Sequence, residues 1–149
     1  MIRVQREGID LALEIERLGA GRGEVGCVAS FVGLVRGAED GVHALTLEHY
    51  AGMTERELAA IETEARGRWP VIDVTIVHRY GRLLPGERIV FVAVAAAHRA
   101  EAFAACEFLV DWLKTKAPFW KLEDRSGGAQ WVEARAEDSV KADRWGRSP

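Results

Sequence analysis

The sequence predicts an α+β fold, a largely antiparallel sheet with single interspersed helices. Its apolar runs rich in β-branched residues are mostly joined by short turns, the connection that antiparallel neighbours use. Helical spacing interrupts those runs singly, without the strand–helix alternation of a doubly wound parallel sheet. With 149 residues and 48% hydrophobic content, residues 1–149 read as one domain with enough apolar surface for a core. There is no internal repeat and no low-complexity segment.

Ile2 to Gln5 has the length of a short edge strand. Asp10 is placed to cap a helix in which Leu11, Ile15 and Leu18 recur at helical spacing, and Gly19, Gly21 and Gly23 end it. This GxGxG follows a helix and precedes a strand, the reverse of what a phosphate-cradling loop needs, so it reads as a linker. Val25 to Val35 is a nearly continuous apolar run, expected to be a strand buried on both faces. Arg36 ends it and Gly37 to Gly41 turns the chain. Val42 to Tyr50 resumes as a strand, and the short link predicts that the two pair antiparallel. His43, Leu45, Leu47 and His49 share one face of the second strand.

Thr54 and Glu57 have the T-x-x-E spacing of a capping box. They open a helix through Leu58, Ile61 and Ala65 that closes near Arg66, Arg68 and Pro70. Glu55, Arg56, Glu62, Glu64 and Arg66 give it a solvated outer face. Val71 to Val77 and Ile89 to Ala97 are strands expected to form a hairpin about a turn, Gly81 to Gly86. Arg99 to Lys116 is the strongest helix, with Phe103, Cys106, Val110 and Leu113 as an apolar stripe widened by Ala102 and Leu109. Pro118 forces its end. Phe119 to Glu123 and Gln130 to Ala134 are the last strands, flanking a Gly127-Gly128 turn. The charged tail, residues 135–149 (Arg135 to Pro149), carries Trp145 and is either a docking arm or a loose end.

A net charge of −3 argues against a general nucleic-acid or membrane-surface binder, so an anionic ligand must be met by a local basic cluster. No apolar run is long enough to span a membrane, and MIRVQREGID lacks the apolar core of a secretion signal. Cys27 and Cys106 lie inside apolar segments without metal-type spacing, which points to a reducing cytoplasm. A reactive thiolate needs an exposed, electropositive setting, so both read as core residues, Cys27 in mid-strand and Cys106 on the helix stripe. His43, His49, His78 and His98 show no zinc-type pairing with each other or with cysteine. Neither a metal nor a cofactor is expected.

The chemistry is concentrated in His98 to Glu123, HRAEAFAACEFLVDWLKTKAPFWKLE. His98 and Arg99 lie where a buried strand gives way to a helix. There the first-turn amides, the helix dipole and a guanidinium converge on an anion; the alternative is a helix start facing water. Lys114 stands in the last helical turn, where the dipole alone accounts for a lysine. Lys121 is harder to assign to solvent, because Phe119, Trp120 and Leu122 surround it. A partly desolvated lysine has a lowered pKa, which suits proton transfer or capture of a carbonyl. Arg36, at a strand tip, either reaches solvent or contacts a ligand.

Four linked segments carry a resemblance: FVGLVR (Phe31 to Arg36), LTLEHYAGMTERELAAI (Leu45 to Ile61), HRYGRLLPGE (His78 to Glu87) and the His98 to Glu123 stretch. Together, in this order and from roughly Gly26 to Trp131, they resemble the large, catalytic subunit family of molybdopterin synthase. The resemblance implies an α/β hammerhead type of fold and a sulfurtransferase of molybdenum cofactor biosynthesis. Such an enzyme converts cyclic pyranopterin monophosphate into molybdopterin by installing two dithiolene sulfurs. The sulfur arrives as a thiocarboxylate on the C-terminal Gly-Gly tail of a small ubiquitin-like partner. Two large subunits pair as a homodimer at the centre of a heterotetramer.

Carried over by motif, Arg36 closes FxGxVR and His98-Arg99 is the HR that opens the main stretch. Lys114 falls on the lysine of DWLK and Lys121 on that of PFWK, which makes them the implied catalytic pair. The implied substrate contacts are Leu34, Val35, Arg36, His98, Arg99, Lys114, Lys121, Leu122 and Glu123. Leu122 stands where many members carry a second basic residue. Sulfur delivered by a partner leaves the cysteines inert. Two other readings are a binding module that holds a phosphorylated ligand or acidic tail without turnover, and a structural homodimer.

Overall fold

The structure is a computed structural model that describes residues 1–37, 41–132, 140 and 143–146. The chain runs β1 (Ile2–Gln5), α1 (Leu11–Gly19), β2 (Cys27–Leu34), β3 (Val42–His49), α2 (Met53–Arg68) and β4 (Val71–Arg79). It continues with β5 (Gly81–Leu83), β6 (Arg88–Ala96), α3 (Arg99–Thr115), β7 (Phe119–Arg125), β8 (Gly128–Val132) and a 3-10 turn at Arg144–Gly146. The strands form two four-stranded sheets, ordered β1-β4-β6-β2 and β5-β3-β7-β8. Only β1 with β4 is parallel; the other pairings are antiparallel. This is the predicted class, with the strands divided between two sheets.

Strand β6 shows why its sequence is apolar at every position from Ile89 onward. Val90, Val92, Val94 and Ala96 pack against Leu58, Ile61 and Ala65 of α2 and Ala105 and Leu109 of α3. The alternate residues Phe91, Ala93 and Ala95 pack with Ile9 and Leu18 on the α1 side. A period of two therefore puts both faces in a core. Each fully buried Val, Leu, Ile or Phe contributes about 1.5–3 kcal/mol.

Several expectations are corrected. β2 is the edge of its sheet, paired only with β6, and Ala29 is its one buried residue, so Val25 to Val35 is not covered on both faces. β2 and β3 do not pair; the link between them carries the chain from one sheet to the other. β4 and β6 do pair antiparallel, but the segment between them contributes β5 to the second sheet, against β3.

The helices differ in which faces they bury. Ile15 is 41% exposed, and Glu14, 3% exposed, takes the inner face of α1 between Leu11 and Leu18. Its carboxylate is ion-paired with Arg3 and Arg17. Spacing of i, i+4, i+7 and i, i+3, i+7 both describe helix faces, and the second was the buried one. On α2 the cap is Gly52, whose N–H donates to Glu55 Oε2 at 2.6 Å. Thr54 is instead buried within the helix and donates to the Tyr50 carbonyl at 3.1 Å. On α3, Phe103 is 65% exposed and Phe108 is buried in its place.

Phe108 packs edge-on with Trp145 at 5.5 Å between ring centroids, so the Arg144–Gly146 turn of the tail is docked. Residues 133–139, 141–142 and 147–149 of the expected strand and tail lie outside the described residues, as do 38–40 of the Gly37 to Gly41 turn.

Candidate functional site

The two sheets and the C-terminal end of α3 enclose a cavity of about 510 Å³. Lys114 reaches it from the last turn of α3, Lys121 from β7 and His78 from β4, while Leu45, Leu47 and Phe119 supply apolar wall. No carboxylate is among the described residues that line it. Two ammonium groups in such surroundings favour an anionic ligand.

Strand register explains how Lys121 gets there. Lys121 stands opposite Leu47 and Phe119 opposite His49 in the β3–β7 ladder. Alternation then places Phe119, Lys121 and Glu123 on the face shared with Leu45 and Leu47. Leu122, opposite Thr46 and Trp131, belongs to the other face. Lys121 is half-buried and Lys114 exposed. The last turn of α3 is held by the Lys116 N–H donating to the Trp112 carbonyl at 2.8 Å and by the Thr115 hydroxyl donating to the Asp111 carbonyl at 2.9 Å. Asp111 is itself buried and accepts from Trp145 Nε1 at 2.8 Å and Arg144 Nη2 at 2.9 Å.

His78 is a wall residue that sequence reasoning did not assign. It sits on β4 between Val4 of β1 and Val90 of β6, and is 7% exposed. Its imidazole stacks on Phe119, with centroids 3.8 Å apart and planes 16° from parallel. Nδ1 is 2.9 Å from the Arg79 carbonyl oxygen, which can only accept, so Nδ1 carries the hydrogen. Burial pushes its pKa down to about 4, and the charges of Lys121, Lys114 and His49 push the same way against the hydrogen bond to Arg79. The ring is neutral near pH 7, with a lone pair on Nε2. The signal was a histidine inside a strand-forming run at the head of HRYGRLLPGE, which spacing alone did not separate from packing.

The other sequence-predicted residues are spread more widely. Leu34 lines the cavity. Val35 behind it is buried, its N–H donating to the Glu87 carbonyl and its own carbonyl accepting from the Gly86 N–H, both at 2.9 Å. A Cβ on Gly37 would stand 2.4 Å from Pro85 Cβ, so the chain beyond Arg36 lies flat against the Pro85 turn. Arg36 is pinned between these two anchors and is exposed beside Leu34. Glu123 accepts from Arg125 Nε at 2.9 Å.

His98 and Arg99 are exposed at the N-terminus of α3, with His98 as the cap residue. Lys114 is near the opposite end of that helix, about 22 Å away at about 1.5 Å per residue. One chain thus brings together Leu34, Lys114 and Lys121 and does not bring His98 and Arg99 to them. Cys106 is buried, and desolvation pushes its thiol up to about 11. Cys27 is half-buried at the first position of β2, not in mid-strand.

Residues 4–116 match the family described as MoaE protein. The molybdopterin synthase catalytic subunit of Ralstonia nicotianae is 54% identical over 147 residues, covering 97% of this chain and 84% of that protein. A solved structure of the molybdopterin biosynthesis MoaE protein from Burkholderia ambifaria matches with a TM-score of 0.85 at 52% identity, covering 99% of each chain. The crystal structure of molybdopterin synthase from Staphylococcus aureus matches with a TM-score of 0.79 at 33% identity, covering 87% of this chain and 95% of that one.

Proposed function

The chain belongs to the MoaE protein family, and from that premise we propose that it is the catalytic, sulfur-transferring subunit of a molybdopterin synthase. The observation that carries this reading is the convergence of Lys114 and Lys121, from a helix end and a separate strand, on one apolar-walled cavity. The substrate is cyclic pyranopterin monophosphate, and sulfur comes as the C-terminal thiocarboxylate of a small ubiquitin-like partner. In each addition the thiocarboxylate sulfur forms a bond to a substrate carbon as a carbon–oxygen bond breaks there. The oxygen leaves with the opened phosphate in one addition and as water in the other, and a second water then cleaves the resulting thioester. The sulfur stays on the pterin and the partner leaves with an ordinary carboxylate. Repetition gives the dithiolene.

Lys114 donates the proton and faces the oxyanion of thioester hydrolysis, and Lys121 assists the proton transfer or holds the partner's tail. Opening the cyclic phosphate leaves a phosphomonoester with added negative charge, which Arg36, His98 and Arg99 stabilise. Because α3 holds His98 and Arg99 far from Lys114, we assign them to the cavity of a second copy in a homodimer with twofold symmetry. Leu34 and Val35 shape the approach to Arg36, and Leu122 and Glu123 contribute from the strand that carries Lys121. The cytoplasm is the compartment that suits two unpaired cysteines. No helix among the described residues is long and apolar enough to cross a membrane.

The test combines the purified chain, a thiocarboxylated small partner and cyclic pyranopterin monophosphate, with dithiolene-bearing pterin as the readout. Product that disappears with Lys114→Ala supports the reading. A stable complex with the partner and no product would make the chain a binding module.

A further inference from the structure

We propose that His78 is the residue that reads the pterin ring, its Nε2 accepting a hydrogen bond from a ring N–H of the substrate in the cavity. This deepens the reading above and rests on it. A reduced pyranopterin carries two kinds of polar group. Its phosphate oxygens and carbonyl accept, as does the incoming thiocarboxylate, whereas its ring N–H groups donate. Lys114, Lys121 and the tryptophan indoles at the cavity supply donors only. The Thr115 hydroxyl keeps its lone pairs, but it is turned back onto the Asp111 carbonyl in the last turn of α3. Among the described lining residues on strands, the imidazole of His78 is the side chain that offers a lone pair, and the strand holds it rigidly.

Three features fit it for that task. The Arg79 carbonyl fixes the tautomer, so Nε2 is the acceptor. The stack on Phe119 and the pairing of β4 on both sides fix the ring plane. Burial beside Lys121 from β7, Lys114 from α3 and His49 from β3 keeps the imidazole uncharged, so the acceptor persists across the working pH range. An unpaired N–H of a buried ligand is costly, so one acceptor discriminates strongly between ligands.

The experiment titrates the reduced substrate, under anaerobic conditions, into the wild-type chain, His78→Phe and His78→Gln, with the small partner titrated alongside. His78→Phe keeps the ring stack and removes the acceptor, so affinity for the pterin falls about ten- to hundredfold. His78→Gln restores an acceptor and recovers most of that loss. Partner binding is unchanged in both, and KM rises with little change in kcat. Independently of any variant, the ¹⁵N resonance of His78 Nε2 in the wild-type chain moves upfield when the pterin binds, while Nδ1 stays protonated. Wild-type affinity in His78→Phe, or an unmoved Nε2 resonance in the saturated wild type, overturns the proposal alone. A shifted pH profile with unchanged pterin affinity also overturns it, because His78 would then act through the lysines. If the wild-type chain binds no pterin, the assignment of substrate fails and takes this inference with it.

Discussion

Trp145 Nε1 donates to Asp111 Oδ2 at 2.8 Å, fastening the C-terminal segment to α3 less than one turn before Lys114. The indole also meets Trp69 and Phe108 edge-on at 5.6 and 5.5 Å. Trp145→Ala therefore removes ring packing and a partner of a buried carboxylate, and is expected to cost about 2–4 kcal/mol. Trp145→Phe keeps a ring and loses the hydrogen bond, for about 1–2 kcal/mol. Urea unfolding of the three proteins checks the order.

Lys114→Ala leaves the apolar wall in place and removes the group assigned to the oxyanion. Turnover is expected to drop about 10²- to 10⁴-fold, while affinity for the small partner stays near wild type. Single-turnover product formation and a partner titration on the same preparation separate the two effects. Full activity in this variant would remove Lys114 from the mechanism.

If His98 and Arg99 serve the cavity of a second copy, two inactive variants rescue each other. Arg99→Ala mixed with Lys114→Ala, with time for subunit exchange, yields mixed dimers holding one complete site. Activity then recovers to about a quarter of wild type, since half the dimers are mixed and each has one site of two. No recovery in a mixture proven to exchange would place all these residues within one chain's site or none.

Acid sensitivity follows from His78. Its folded pKa lies below the unfolded value of 6.5, at about 4. Above the unfolded value the ring is neutral in both states and contributes nothing to the pH dependence. As pH falls through that window the unfolded chain takes up a proton that the folded chain refuses, and stability declines by about 3 kcal/mol in total. Below the folded value both states are protonated and the decline stops. His78→Phe should lose this component, which denaturant melts near neutrality and near pH 4 will show as a flatter difference.

What the sequence made legible were the elements and the motif residues. Periodicity located α1, α2, α3 and the long strands, because β6 and α3 each bury a continuous pattern. It misplaced Ile15 on α1 and Phe103 on α3 because each helix offers two plausible apolar faces, and only tertiary packing chooses between them. Buried Glu14 occupies a position that hydropathy assigns to solvent; its ion pair with Arg3 is a long-range fact. The division into two sheets was invisible for a related reason. A short link such as that between β2 and β3 serves a hairpin or a corner equally well, and partners far along the chain decide which. Motifs single out Lys114 and Lys121, and both line the cavity, whereas no motif singles out His78, because its place there depends on the Arg79 carbonyl and the ring of Phe119.

The second sheet also governs when the protein becomes competent during folding. β4, β6 and α3 are close in sequence and can associate early, but β3 must wait for β7, which is synthesised much later in the chain. Pairings of such long separation form slowly, after the local structure. Lys121 enters the cavity only through that pairing, so ligand binding is acquired at the end of refolding, after the helical signal has recovered. Pterin affinity is therefore a gauge of complete assembly, and a lag between far-UV recovery and pterin binding in a refolding jump is its expected signature.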